Sequence, residues 1–189
     1  MKRMVVLLLS GVAFGTVGAS AAAEPLRVVS HVDLGRYVGT WYEIASIPAS
    51  FQRFCAGGTT ATYTLLPNGQ VQVTNQCYTS AGEPRKAVGR AWVADQTTNA
   101  RLKVSFVSIF GIWLFSGDYW IIDLGERYEY AVVGHPSRNY GWILSRTPTL
   151  PQEVLAGIYR RLAAQGYDVS RFRMTDQTRF LEKPEGGRR

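Results

Sequence analysis

The stretch Gly39-Thr40-Trp41-Tyr42-Glu43 opens the first of a series of short β-rich segments in this chain. The segment Tyr42–Ile47 combines aromatic and β-branched residues, which favour a strand. Further on, Pro67-Asn68-Gly69 separates two alternating segments and predicts a hairpin turn. The other predicted strands follow at short spacing: Ala61–Leu65, Gln70–Thr74, Ala87–Ala94, Ala100–Val107, Asp118–Leu124, Tyr128–Val133 and Tyr140–Ser145.

Eight antiparallel strands in a row can close on themselves, and closure removes the unpaired edges that favour aggregation. We therefore predict an all-β fold, an eight-stranded antiparallel up-and-down barrel. The interior of such a barrel has room for packed side chains or for one small ligand.

A segment of helical period follows the strands, and we expect one C-terminal α-helix packed on the outside of the barrel. Thr149 and Gln152 have capping-box spacing at its start, and Gly166 ends the helix after Gln165. A short last strand is predicted at Arg171–Met174. The apolar face of the helix is formed by Val154, Leu155, Ile158 and Leu162.

The N-terminus has the pattern of a secretory signal peptide. Lys2 and Arg3 precede an apolar run, and Ala21-Ala22-Ala23 supplies a small-residue cleavage site. We predict a signal peptide over residues 1–23, one domain over 24–181 and a disordered tail over 182–189. An uncleaved N-terminal anchor is the alternative. Because no cysteine stands at the cleavage site, we expect an exported product without an attached lipid.

The net charge indicates which kinds of partner the protein binds, and the two cysteines indicate a disulfide. The formal net charge is +7, spread along the chain, with the densest basic patches at Arg160-Arg161 and in the tail. Without stacking groups interleaved among these charges, we expect no nucleic-acid partner and favour peripheral contact with an anionic membrane. Cys55 and Cys77 flank one predicted hairpin, and in an oxidising compartment they predict a disulfide, with two free thiols as the alternative.

Gly39-Thr40-Trp41 resembles the signature of the lipocalin family, and Arg146 in Ile143–Pro148 stands where lipocalins carry an arginine that packs across the signature tryptophan. The segments Gly117–Leu124 and Tyr128–Val133 are similar to the bacterial outer-membrane and apolipoprotein D-like lipocalins. The resemblance implies that Gly39, Trp41 and Arg146 are structural residues at the closed end of the barrel. Many bacterial members are acylated, and this chain lacks the cysteine for it, so from the signal peptide we expect a periplasmic protein, peripheral at the outer membrane.

The sequence departs from the family pattern at Gly125, which stands in place of an aspartate in the second signature region. Glu126 is nearby and Tyr128 is in place. We therefore expect the loop at this end of the barrel to be held differently from the family pattern.

Period-two alternation assigns the interior wall. The small residues Ala45, Ala61 and Ala91 share the inward phase and leave volume for a ligand. The polar residues Glu43 and Asn75 also lie at or near the inward phase. Arg90 is expected near the opening, as an anchor for an acidic head group or in a surface ion pair. The predicted ligand-binding residues are Tyr63, Val73, Ala91, Val93, Val104, Phe106, Tyr119, Ile121 and Trp142, with Leu102 in the same phase.

The segment after the fifth strand is almost wholly apolar although loops normally face water. It predicts a lid or a membrane-touching rim at the open end, because exposed apolar patches mark ligand entrances, partners or membranes. The alternative is a buried extension of the flanking strands. The rim residues are Ile109, Phe110, Ile112, Trp113, Leu114 and Phe115.

The sequence contains few groups that could act in catalysis or bind a metal. His31 and His135 are the two histidines, and neither has the sequence context of a nucleophile or a metal site. We predict no enzyme activity, no metal and no cofactor. The function predicted is binding and transport or storage of a small lipid-like ligand, such as a fatty acid or lysophospholipid, by a monomer or homodimer. A lipid-modifying enzyme and a solid-core interaction protein at the membrane surface are the alternatives.

Overall fold

The computed structural model describes residues 24–181. The predicted signal peptide, 1–23, and the predicted tail, 182–189, lie outside the described residues. The strands are β1 Gly39–Ser46, β2 Gly57–Leu65, β3 Val71–Tyr78, β4 Pro84–Val93, β5 Arg101–Ser105, β6 Val107–Ile109, β7 Ile112–Leu114, β8 Gly117–Leu124, β9 Tyr130–Gly134, β10 Gly141–Ser145 and β11 Arg173–Met174. The helices are α1 Leu34–Tyr37, α2 Gln152–Ala164 and α3 Thr178–Leu181, and 3-10 turns lie at Ser50–Gln52 and Val169–Arg171.

The predicted eight-stranded barrel is confirmed. Strands β1, β2, β3, β4, β5, β8, β9 and β10 pair in that order, and β10 pairs back onto β1 to close the ring. All of these pairings are antiparallel. The additional strand β11 pairs with the second half of β1, and β6 and β7 form a separate hairpin between β5 and β8.

A β-bulge in β1 corrects one predicted phase. Glu43 is paired with inward-facing Leu144, but Ala45 is paired with outward-facing Ile143, because the register shifts between Glu43 and Ala45. Ala45 therefore packs outside the barrel, and its prediction as an inward residue is wrong. A bulge adds one residue to a strand and so turns every later side chain to the other face. Ser46 takes the inward phase instead, opposite Trp142.

The side chains form two apolar layers. The inner layer fills the half of the barrel near Trp41, which we call the lower half, and includes Trp41, Tyr63, Ile121 and Val133. The outer layer lies between the barrel and α2 and includes Ile44, Ile143, Ile158, Leu162 and Phe172. The helix is tied to the barrel by Arg161, whose Nε donates to Asp123 Oδ2 at 2.7 Å.

The first turn of α2 differs from the prediction. The helix begins at Gln152 with Pro151 at the N-cap position, and no side chain caps it. Thr149 lies before the helix, so the predicted capping box is wrong. Pro151 explains the start, because its ring fixes φ at −54° and supplies no backbone donor, which suits a helix N-terminus.

Two segments near the open end are held by side chains. The predicted disulfide is present, and Cys55–Cys77 ties the β1–β2 connection to the end of β3. Strand β5 stops at Ser105, two residues before the predicted end, because the buried Ser105 hydroxyl donates to the carbonyl of Leu114 and accepts from the backbone N–H of Val107. The chain then leaves the barrel wall and forms the β6–β7 hairpin.

Candidate functional site

One end of the barrel is sealed by Trp41, which is fully buried. Its indole Nε1 donates to the carbonyl of Tyr37 at 2.8 Å, and the guanidinium carbon of Arg146 lies 3.8 Å from its ring centroid. Arg146 also donates to the carbonyls of Arg36, Val38 and Thr40 at 2.7, 3.0 and 3.1 Å. The arginine thus holds the chain from α1 to β1 against the tryptophan.

Gly39 and Gly125 both make room for side chains at this closed end. Gly39 has φ +99°, and a Cβ there would lie 3.2 Å from Arg146 Nη1. A Cβ at Gly125 would meet the Glu129 carboxylate at 2.5 Å. Glu129 accepts from the backbone N–H of Arg127 at 3.0 Å. The loop that departs from the family pattern is therefore held by Glu129, whereas Glu126 is exposed.

Three tyrosine hydroxyls meet inside the barrel. The Oη of Tyr119 lies 2.8 Å from that of Tyr37 and 2.8 Å from that of Tyr63, and we call these residues the tyrosine triad. Burial raises the pKa of Tyr63 to about 12 and raises the pKa of Tyr37 and of Tyr119 above the ordinary value. At neutral pH all three hydroxyls are therefore protonated and uncharged.

The enclosed space beside the triad is small. A cavity of ≈ 20 Å³ lies at the closed end of the lumen, and a space of this size holds about one water molecule. Pockets that enclose drug-sized ligands are roughly 300–1,000 Å³. An acyl chain therefore does not fit below the triad in this conformation. The cavity is lined by Leu34, Tyr37, Val38, Tyr63, Val71, Val73, Ala91, Leu102 and Tyr119.

The upper half of the lumen is open. Register places Ala87 opposite Asn75 and in phase with buried Gly89 and Ala91, so Ala87 faces inward, yet it is exposed. Val104, Tyr119 and Trp142 are partly exposed although they pack against the inner layer. Solvent thus reaches parts of the inner wall between the mouth and the tyrosine triad, whose hydroxyls are buried.

The predicted ligand-binding residues fall into three groups in the structure. Tyr63, Val73, Ala91 and Tyr119 line the small cavity, together with Leu102. Val93, Val104, Ile121 and Trp142 belong to the inner layer or pack against it. Phe106 lies at the mouth, 41% exposed, with its ring over Gly89.

Arg90 does not point into the lumen. It stands between inward-facing Gly89 and Ala91 on β4, and therefore faces outward, where its guanidinium carbon lies 5.5 Å from the Trp113 ring centroid. The prediction that Arg90 approaches the opening as a ligand anchor is wrong for this reason. No ion pair involving Arg90 is present among residues 24–181, and its buried Nε has no hydrogen-bond partner.

A polar group that sequence reasoning did not predict lies at the mouth. Gln52 donates from Nε2 to Glu43 Oε2 at 3.2 Å and accepts at Oε1 from Trp142 Nε1 at 3.2 Å. Ser46 and Thr175 donate to Glu43 Oε1 at 3.0 and 2.6 Å. The buried carboxylate is thus fully hydrogen-bonded. Gln52 lies in a connection, so no periodicity could have indicated its partner.

The predicted rim segment is an exposed hairpin. Phe110 at its tip is fully exposed, Phe115 is 86% exposed, and Ile109 and Ile112 are exposed as well. Trp113 and Leu114 are partly buried. The tip turns through Phe110 and Gly111, which have φ of +49° and +80°. The hairpin therefore presents apolar side chains to solvent beside the open mouth.

Groups that could support catalysis or bind a metal are sparse. His31 is exposed, and His135 Nδ1 lies 2.8 Å from Ser137 Oγ while its Nε2 is 4.0 Å from Asp118 Oδ2. In the described part of the chain, no three His, Cys, Asp or Glu side chains cluster as a metal site would require. No helix within residues 24–181 has both the length and the apolar character needed to cross a bilayer.

Comparison with known proteins assigns the chain to a family. A family model described as a lipocalin-like domain matches residues 32–177. The chain is 38% identical to the outer membrane lipoprotein Blc of Escherichia coli (strain K12) over 175 residues, 91% of this chain and 96% of Blc. It is 38% identical to temperature-induced lipocalin-1 of Arabidopsis thaliana over 158 residues, 82% of this chain and 84% of that protein. Mouse apolipoprotein D is 32% identical over 158 residues, 79% of each chain.

Solved structures share the fold at lower sequence identity. Insecticyanin from the tobacco hornworm Manduca sexta matches with a TM-score of 0.66 at 22% identity, covering 82% of this chain and 86% of that one. Lobster apocrustacyanin A1 matches with a TM-score of 0.60 at 17% identity, covering 76% and 78%. The sealed end, the closed eight-stranded ring and these matches agree: the chain belongs to the lipocalin family, whose members bind small hydrophobic ligands.

Proposed function

We propose that the protein is an exported carrier that binds one lipid-like amphiphile, such as a fatty acid or lysophospholipid, in the upper lumen. The observation that carries the proposal is the accessible apolar inner wall, where inward Ala87, Val104 and Trp142 keep contact with solvent. Such surface gains free energy when an alkyl chain covers it. The proposed site extends from Tyr119 inside the barrel to Phe106 at the mouth and includes the predicted ligand-binding residues Val104 and Trp142.

Desolvation supplies the affinity in this proposal. Each buried methylene contributes about 0.8 kcal/mol, so about eight methylenes contribute roughly 6 kcal/mol before the cost of ordering the ligand. Micromolar affinity corresponds to about 8 kcal/mol, so longer chains or a hydrogen-bonded head group supply the remainder. No covalent step, metal or cofactor is needed.

The test blocks the lumen from its mouth. Ala87→Trp places an indole into the upper lumen, whereas Val88→Trp places the same group on the outer face of the same strand. Each protein is delipidated, mixed with palmitoyl-lysophosphatidylcholine, and studied by native mass spectrometry. We expect one bound lipid in the wild type and in Val88→Trp, and at least about tenfold weaker binding in Ala87→Trp. Equal binding by all three proteins would place the lipid outside the lumen.

The same measurement separates the two alternatives. A lipid of altered mass in the complex would favour a lipid-modifying enzyme, and failure of the wild type to take up lipid would favour a solid-core interaction protein. The ring of His135 contacts Ser137 within its own turn and the edge of Tyr140, and its Nε2 lies 4.0 Å from Asp118 Oδ2. We propose a binding role without catalysis, for a monomer or homodimer.

We further propose that the β6–β7 hairpin contacts an anionic membrane beside the mouth, so that ligand transfers between bilayer and lumen. Support comes from exposed Phe110 and Phe115 on one hairpin, and from the exposed cations Arg53 in the β1–β2 connection and Lys86 near the start of β4, at the same end of the barrel. Apolar side chains that enter a bilayer gain hydrophobic free energy, and cations near anionic lipid add roughly 1 kcal/mol each.

The membrane contact is tested with vesicles of phosphatidylglycerol and phosphatidylcholine. Phe110→Ser with Phe115→Ser should reduce co-sedimentation at least about fivefold while the melting temperature stays nearly constant, because both rings already face solvent. Leu65→Ser removes an exposed apolar group at the closed end and is the matched control. Equal loss with Leu65→Ser would remove the hairpin from the proposal.

Location follows from the same proposal. The relative Blc is named an outer membrane lipoprotein and spans 91% of this chain. The disulfide between Cys55 and Cys77 favours an oxidising compartment. We propose residence in the periplasm, peripheral at the outer membrane, which fractionation of the native cells tests directly.

A further inference from the structure

The tyrosine triad spans the barrel. Tyr63 belongs to β2 and Tyr119 to β8, and these strands are four steps apart in both directions around the ring. They therefore stand on opposite walls, and the 2.8 Å contact between their hydroxyls crosses the lumen. Tyr37 joins from α1 at the closed end. The triad forms a floor between the open upper lumen and the small cavity.

Counting protons shows that this floor has a donor to spare. Three phenol hydroxyls carry three protons, and two hydrogen bonds join them, so two protons are used. Among residues 24–181, no other acceptor lies within hydrogen-bond distance of the three hydroxyls. A buried donor without an acceptor costs about 1–3 kcal/mol, so a site of this kind favours an acceptor that arrives from outside.

The acceptor can arrive from the mouth. Inward-facing Val104 and Tyr119 are partly exposed toward the mouth side of the triad, and hydroxyl groups rotate freely enough to direct a proton toward an incoming oxygen. The space on the other side of the floor is ≈ 20 Å³ and admits about one water molecule. A ligand would therefore reach the floor with its leading end only.

Charge around the floor selects the kind of oxygen. Burial raises the pKa of Tyr63, and the charge of Glu43 adds to that shift. Burial also raises the pKa of Tyr37, while the charge of Arg146 acts on it in the opposite direction; the guanidinium already donates to backbone carbonyls, including that of Tyr37 at 3.2 Å. A carboxylate at the floor would be buried without a cation free to pair with it, which is costly. A neutral oxygen does not carry that penalty.

We infer that the Tyr37–Tyr63–Tyr119 triad is a hydrogen-bond-donating floor that selects ligands whose leading end bears an uncharged oxygen acceptor, such as a hydroxyl, aldehyde or ester carbonyl. The inference rests on the proposed function, because it needs a ligand in the upper lumen. It adds an orientation, polar end inward, for uncharged amphiphiles; a ligand with a charged head, such as a lysophospholipid, would keep that head at the mouth.

The test compares two probes of similar length, 1-octanol and 1-chlorooctane, which differ in the acceptor strength of their terminal atom. Their dissociation constants are measured by displacement of the fluorophore N-phenyl-1-naphthylamine. The variant is Tyr37→Phe/Tyr63→Phe/Tyr119→Phe, because any single or double variant keeps at least one unused proton. Replacing all hydrogen-bonding partners by apolar groups of the same shape is nearly neutral for folding. Tyr159→Phe, on α2 outside the barrel, is the control.

The preference is the dissociation constant of 1-chlorooctane divided by that of 1-octanol. This ratio should be about fivefold larger in the wild type and in Tyr159→Phe than in the triple variant. The wild type should also show a change in tyrosine absorption with 1-octanol that 1-chlorooctane does not produce, a result that needs no variant to fold. If both probes bind and their ratio is the same in the triple variant, the floor is not a recognition site, although the carrier proposal stands. If neither probe displaces the fluorophore from the wild type, both proposals are overturned.

Discussion

Replacing Arg146 with lysine should destabilise the barrel strongly even though the charge is kept. The guanidinium donates to the carbonyls of Arg36, Val38 and Thr40 while it lies 3.8 Å from the Trp41 ring centroid. A lysine ammonium can serve about two of these acceptors and has no flat face for the indole. Losing one hydrogen bond to a charged donor costs about 1.5–3 kcal/mol, and the weaker contact with the ring costs about 0.5–1 kcal/mol.

We therefore expect the free energy of unfolding to fall by about 3 kcal/mol in Arg146→Lys, and the melting temperature to fall by roughly 6–12 °C. Urea unfolding followed by tryptophan fluorescence measures the first quantity, and calorimetry measures the second. Arg160→Lys is the matched control, since Arg160 is exposed on α2 and should change stability by less than about 0.5 kcal/mol. A loss below about 1 kcal/mol in Arg146→Lys would show that charge alone holds the closed end.

Three further results are expected. Burial raises the pKa of folded Tyr63 to about 12, whereas an unfolded tyrosine has a pKa near 10, so this contribution to stability is complete below about pH 10 and is lost as the pH rises toward 12. In urea unfolding, the free energy of unfolding should therefore fall more steeply above pH 10 for the wild type than for Tyr63→Phe. Parallel falls in the two proteins would contradict a buried phenol at Tyr63. Removing the disulfide with Cys55→Ala/Cys77→Ala should lower the free energy of unfolding by about 3 kcal/mol. Reducing the wild type with a thiol should lower its free energy of unfolding by the same amount. Gln177→Ala should cost about 2 kcal/mol, because the buried amide donates to the carbonyls of Glu43 and Thr59 at 2.8 and 2.7 Å; exposed Gln96→Ala should be neutral, and matching values for both would refute the role of Gln177.

Alternation, turn residues and the helical period were enough to predict the number of barrel strands and the apolar face of α2. Both depend on local periodicity, which the sequence displays directly. The bulge that turns Ala45 outward adds one residue without any change in composition, so alternation could not locate it. The start of α2 was missed because Thr149 offered a capping pattern while Pro151 fixed the backbone.

The candidate site was only partly predictable for a different reason. Tyr63 and Tyr119 were assigned inward by their phase, but their contact across the lumen depends on the diameter of the barrel and on α1, which brings Tyr37 to them. Gln52 lies in a connection with no repeating pattern. The outward direction of Arg90 followed from the alternation on β4, and its packing on Trp113 required the hairpin to fold back.

Closure of the ring also fixes an order of events during biosynthesis. Tyr42 on β1 pairs with Ser145 on β10, and the second half of β1 waits for β11 and for Gln177 still nearer the C-terminus. A chain that emerges from the ribosome N-terminus first therefore exposes one edge of β1 until nearly all of the domain has been made. Pairings so distant in sequence form slowly, and unpaired edges invite association with other chains. Complete pairing of the first strand, which carries the sealing tryptophan, thus requires the last residues of the domain. Until they arrive, its free edge must be protected from other chains.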